Sequence, residues 1–240
     1  MTTHDDSDAL SHPPRIDVTV LEDRTAGARC DTGFLRVRRL LLENRYDDGT
    51  KSAPYAYDLV ERDAIDAVAI VLFAGRGADA RICLRSALRP PMTFRHSYAL
   101  PLPEEPGGGV LWEIPAGLVE ADEHGEAGLA ACAARETLEE VGLDLPPSAF
   151  STLGTSAGLS PGVIGEKIHF LVAEVDPTKR GRPTEDGSPV EERAEVHFVR
   201  LPDAMAALDD GLIGDLKTEV GIRRLRDYLA RLGHVAEGPG

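Results

Sequence analysis

Apolar runs separated by polar turns divide the chain into short strands and a few helices. Phe34-Leu35-Arg36-Val37-Arg38-Arg39-Leu40-Leu41-Leu42 is strand-like, and Asp47-Asp48-Gly49 is a turn signal. Tyr55 to Val60 alternates as a second strand, so the two predict a hairpin-like unit. Ala67 to Phe73 is a continuous apolar run bounded by Asp66 and Gly75. Its length and β-branched content predict a buried strand. Arg81 to Arg85 follows at hairpin distance, and Leu111 to Ile114, Lys167 to Val175 and Glu195 to Leu201 predict further strands. Pro115-Ala116-Gly117 ends the Leu111 strand. Ala127 to Val141, dense in Ala, Leu, Glu and Arg, predicts the best helix, and Gly142 stops it. Pro202 to Leu208 and Thr218 to Leu232 read as helices, the second with apolar Ile222, Leu225, Tyr228 and Leu229. Pro101 to Gly109 and Asp176 to Glu192 read as loops. Mixed strands with few helices fit an α+β fold better than a doubly wound array.

Composition narrows the function. At 240 residues and 42% hydrophobic content the chain can bury a sizeable core. Its net charge of −15 repels phosphate backbones, so no nucleic-acid partner is expected. A small anionic substrate stays possible where local cations reverse the field. Cys30, Cys83 and Cys132 form no CxxC pair and the histidines form no HExxH, which argues against zinc and disulfides and for a reducing, cytoplasmic setting. No apolar run reaches the ~18 residues of a membrane span, so no membrane partner is expected. Residues 1–14 are polar and acidic and read as a disordered tail rather than a signal peptide.

The most informative stretch is Arg135-Glu136-Thr137-Leu138-Glu139-Glu140-Val141-Gly142-Leu143. At helical spacing Glu136, Glu139 and Glu140 cluster on one face, with Glu136 and Glu140 one turn apart. Like charges this close need a neutralising partner, and a hard divalent cation with oxygen ligands is a natural one. A solvated acidic face is the alternative for these residues taken alone. Arg135 and Glu139 are i, i+4, so the arginine can hold that carboxylate.

With its flanks, this stretch resembles the box of the Nudix hydrolase family, G-x5-E-x7-R-E-U-x-E-E-x-G-U, where U is bulky and aliphatic. The matching residues are Gly117, Glu123, Arg135-Glu136, Glu139-Glu140 and Gly142-Leu143. There are two departures. Eleven residues separate Glu123 from Arg135 instead of seven, a four-residue insertion expected in the loop that enters the helix, and Thr137 replaces an aliphatic residue. Further stretches are similar to the ADP-ribose pyrophosphatase subgroup: Trp112-Glu113-Ile114-Pro115-Ala116-Gly117 before the box, Arg89-Pro90-Pro91-Met92, Ser160-Pro161-Gly162 followed by Glu166, and Asp215-Leu216-Lys217-Thr218.

The resemblance implies a Nudix fold, a mixed β-sheet sandwiched between helices, preceded by the β-hairpin-like unit. The implied divisions are a tail over 1–14, an N-terminal unit over 15–63, a catalytic domain over 64–233 and a tail over 234–240. It implies Mg²⁺, with Mn²⁺ as a possible substitute, held by Glu136, Glu139, Glu140 and the carbonyl of Ala116. It implies Glu166 or Glu139 as the catalytic base and Arg89 on the substrate phosphates. Glu113, a carboxylate beside the metal turn, is a further substrate-binding candidate. The implied reaction converts ADP-ribose or a related ADP-sugar to AMP and a sugar phosphate. Alternatives are another nucleoside diphosphate derivative, such as GDP-mannose or a dinucleotide polyphosphate, or a non-catalytic ADP-ribose sensor. The presence of Glu136, Glu139 and Glu140 disfavours the sensor. A homodimer that exchanges its N-terminal units is also implied, the alternative being a hairpin folded back on its own chain.

Overall fold

The computed structural model describes residues 11, 33–44, 49–104, 109–184, 188–190 and 192–236, with backbone alone at 234–236. Apart from Ser11, the expected tail over 1–14 lies outside the described residues, as do 15–32 of the N-terminal unit and Asp47 and Asp48 of the predicted turn. The first two strands, β1 (Arg36–Leu42) and β2 (Tyr55–Glu61), pair antiparallel as a separate sheet in register from Arg36↔Glu61 to Leu42↔Tyr55.

The central sheet holds β3 (Ala67–Ala74), β4 (Arg81–Leu88), β5 (Val110–Glu113), β6 (Ala116–Leu118), β7 (Ser151–Thr152), β8 (Ile168–Glu174) and β9 (Val196–Arg200). Its main order is β5-β4-β3-β8-β7, with β6 on β3 and β9 on β4. β3 and β8 run parallel and the remaining pairs are antiparallel, so the sheet is mixed. The helices are α1 (Pro90–Thr93), α2 (Gly125–Glu136), α3 (Leu201–Asp209) and α4 (Leu216–Ala236). Among the described residues, no helix is long and apolar enough to cross a membrane.

Every residue of β3 is buried, and its period of two divides it between two cores. Ala69, Val71 and Phe73 join a cluster with Ile222 and Leu225 of α4 and Ala204 of α3. Val68, Ile70 and Leu72 join Cys132 and Ala133 of α2 and Val141. A fully buried Val, Leu or Ile contributes roughly 1.5–3 kcal/mol, so this strand anchors both layers. The α+β fold expected from the strand pattern, and the mixed sheet between helices that the resemblance implies, are what the chain forms.

Three local differences matter for the site. Pro115-Ala116-Gly117 follows the end of β5 as expected, but a new strand starts there at once: Ala116–Leu118 forms β6 and pairs with Ala67–Ala69. The predicted helix over Ala127 to Val141 is α-helical through Glu136 and then widens to π geometry over Thr137–Val141. The angular spacing of an α-helix therefore does not carry past Glu136. Gly142, with φ of 78°, closes it in the left-handed region that glycine tolerates best. Third, the extra residues between Glu123 and Arg135 do not lengthen the entry loop. Helix α2 begins at Gly125, so they add about one helical turn.

Candidate active site

The site is built where α2 crosses β6. Glu136, at the last position of α2, lays its carboxylate against Gly117 in the space a side chain there would fill. Glu140, in the π turn, is buried, and its Oε2 accepts the Ala116 N–H at 2.9 Å. Two carboxylates thus converge on Ala116 and Gly117, at the start of β6. The other oxygen of Glu140 accepts from Arg85, a buried residue of β4.

Arg135 serves a group of glutamates rather than Glu139 alone. It donates to Glu136 at 2.6 Å and to Glu123 Oε2 at 3.2 Å, and it lies 3.5 Å from Glu139. It also donates to the Leu118 carbonyl at 3.1 Å. Glu123 accepts the Glu120 N–H at 2.8 Å, and Gly128 packs against the Glu123 backbone so closely that a Cβ would meet it. The added helical turn therefore leaves Glu123 joined to Arg135. Among Glu123, Glu136, Glu139 and Glu140, Glu139 is the most exposed, at 35%. Among the described residues, no three acidic, histidine or cysteine side chains form a ready-made cation cluster.

A second group lies along β4 and β5. Arg85 and Glu113 are register partners across these strands. Arg89 grips Glu113 with two bonds, Nε to Oε1 at 2.8 Å and a terminal nitrogen to Oε2 at 2.6 Å. Lys217 also donates to Glu113, and to Asp215 at 2.9 Å. Asp215 in turn accepts the Thr218 N–H at 2.9 Å at the start of α4, while Thr218 Oγ1 accepts the Ile114 N–H at 2.9 Å. Among the described residues, the buried charged side chains are Arg85, Glu113, Glu140 and Lys217, so all belong to this network and the Glu140 corner. Burial pushes the Glu113 carboxyl up. The bonds from Arg89 and the positive charges of Lys217 and Arg89 outweigh burial and hold its pKa at about 2. Arg89 itself is 46% exposed, so it keeps a face toward solvent while Glu113 fixes its other side.

Glu166 lies on the segment before β8 and pairs with Arg62. His169 pairs with Asp66 at 3.1 Å. Trp112 is fully buried, donates to the Ser11 carbonyl at 2.8 Å and meets His197 edge-on, which is a packing role.

The family model for the NUDIX domain matches residues 66–232. The chain belongs to the Nudix family. No curated protein matches it. A Nudix domain indicates a hydrolase of compounds built on a nucleoside diphosphate, and Nudix enzymes generally use divalent metal ions. The residues present fit such an ion. The donors at Ala116 and Gly117 are oxygens, and two converging carboxylates suit a hard cation that keeps waters and substrate phosphates as its other ligands.

The sequence pattern links Glu136, Glu140 and Ala116, which the structure brings together, but not Arg89 with Glu113, which the structure pairs. It does not reveal Arg85 or Arg62. Arg85 leaves one signal: it shares the strand face of Cys83, an inward position in an apolar strand. Arg62 leaves none, because its partner is 104 residues away.

Proposed function

We propose that the chain hydrolyses the pyrophosphate of ADP-ribose or a related ADP-sugar, releasing AMP and a sugar phosphate. The observation that carries the reading is the convergence of the Glu136 and Glu140 carboxylates on Ala116-Gly117, beside an arginine held by a buried carboxylate. Glu136, Glu140 and the Ala116 carbonyl would hold Mg²⁺, with Mn²⁺ as a substitute and Glu139 at the edge of the site. A bound ion offsets the charge of the phosphates and lowers the pKa of a coordinated water.

The remaining roles belong to the chain. Arg89 presents its planar fork of donors to the pyrophosphate. Glu113 acts through Arg89, since its own carboxylate is buried and taken. Glu166 accepts the proton of the attacking water; Glu139, on the helix, is the alternative acceptor. Arg135 keeps Glu123, Glu136 and Glu139 from repelling one another. Water adds to one phosphorus, the bridging bond breaks, and the leaving phosphate carries away the bond's electron pair.

The catalytic unit on this reading is 64–233, and the unit over 15–63 mediates a homodimer. Exposed Phe34, Leu35, Leu41, Tyr55 and Tyr57 support pairing, because a two-stranded ribbon alone is marginal in water. The buried free thiols of Cys83 and Cys132 suit a reducing, cytoplasmic setting. Purified protein with Mg²⁺ against ADP-ribose, ADP-glucose, GDP-mannose and diadenosine polyphosphates tests the substrate class. Preference for the ADP-sugars supports it, and turnover of GDP-mannose or dinucleotides alone contradicts it.

A further inference from the structure

Glu166 is fixed by the N-terminal unit rather than by its own loop. Arg62, one residue past the end of β2, donates to Glu166 Oε1. Both side chains are 15% exposed. Arg62 also donates to the Ile65 carbonyl at 3.4 Å, and its Nε is buried without a partner. A guanidinium withdrawn from water to this extent carries a desolvation cost that the carboxylate offsets.

Two further links join the same pieces. The Val60 N–H donates to the Val163 carbonyl at 2.8 Å, and Val60 and Ile164 form a parallel bridge. The Tyr57 hydroxyl donates to the Gly162 carbonyl at 2.7 Å. The loop closes a turn of its own, with the Val163 and Ile164 N–H groups donating to the Ser160 carbonyl at 2.9 and 3.0 Å, but that turn ends before Glu166. A Cβ at Gly162 or Gly165 would meet nothing within 4 Å. Left alone, such a segment would spread its carboxylate over many positions, and ordering it has an entropic cost.

We propose that Arg62 is the positioning residue for Glu166, and that the N-terminal hairpin is the brace that sets the 160–167 loop for reaction. This rests on Glu166 as the proton acceptor. Arg62 engages Glu166 through Oε1. The brace works within one chain, whatever a second copy does.

The test uses the full chain with Mg²⁺ and ADP-ribose. Arg62→Ala is expected to lower kcat about a hundredfold, the scale of a small misplacement at a reacting group, with KM little changed. Arg62→Lys should recover part of the loss. Added to Glu166→Gln, Arg62→Ala should cost nothing more, because both act through one group. Hydrogen exchange read over 160–167 should quicken in Arg62→Ala and in the milder Tyr57→Phe, while the β3 and β8 amides stay protected. Wild-type exchange and kcat in Arg62→Ala overturn the proposal, as does a full additional loss in the Glu166→Gln background. If Glu166→Gln turns over normally, the base assignment fails instead, and the exchange data still decide whether the brace exists.

Discussion

A methyl group at Gly117 would stand 1.9 Å from the carboxyl carbon of Glu136. The residue that opens the box and the glutamate at the end of α2 therefore occupy one space. Gly117→Ala is expected to push the Glu136 carboxylate away from the start of β6. Because the clash is with a flexible side chain, the fold should hold. Mn²⁺ affinity measured by calorimetry should fall by about tenfold, the usual scale for disturbing a metal site's support. Unchanged Mn²⁺ affinity would remove Glu136 from the cation site.

Glu140 carries two duties, and they should separate. Glu140→Gln removes a charge from the proposed cation site and from the buried Arg85–Glu140 ion pair. Turnover should fall by orders of magnitude, and urea unfolding should show a loss of roughly 3–5 kcal/mol. Replacing both residues, Arg85→Met with Glu140→Gln, should recover much of the stability and none of the turnover. Recovery of activity in the double variant would contradict the metal role.

The Glu113 network gives a pH signature. A carboxyl whose folded pKa is held at about 2 adds stability above its unfolded pKa of ~4.3. That stability is lost as pH falls from there toward about 2. Glu113→Gln should therefore be less stable than the parent at pH 7, by an amount that shrinks as the pH drops through this window. Chemical denaturation across the acid range measures the gap. A gap that stays constant down to pH ~3 would show that the Glu113 charge is not what Arg89 and Lys217 stabilise.

The hairpin's exposed apolar residues predict association. Light scattering should give a dimer at micromolar concentration. Leu41→Asp, at a position 77% exposed, should shift it toward monomer without loss of the folded core. A monomeric full chain at that concentration would contradict the homodimer.

What the sequence discloses depends on how local each determinant is. The burial of β3 follows from its unbroken apolar run, and Gly142 marks the helix end through its left-handed backbone. The convergence of Glu136 and Glu140 is legible because both lie on one short segment opposite a glycine. The inserted residues before Arg135 are harder, because Ala-rich sequence can extend a helix as readily as fill a loop, and Gly128 packing on Glu123 decides it. The π turn at Thr137–Val141 has no periodic signature. Arg85 on Glu140 and Arg62 on Glu166 are pairings across 55 and 104 residues, set by strand placement rather than by spacing.

The most direct measurement is product analysis in ¹⁸O-labelled water, with ADP-ribose, Mg²⁺ and the full chain, beside a Glu136→Gln control. The account predicts AMP and ribose 5-phosphate in equal amounts, one of them carrying a single label from the attacking water, and formation abolished by chelator and nearly so in the control. ADP-ribose bound but left uncleaved, or cleaved equally well with the metal removed, would contradict it.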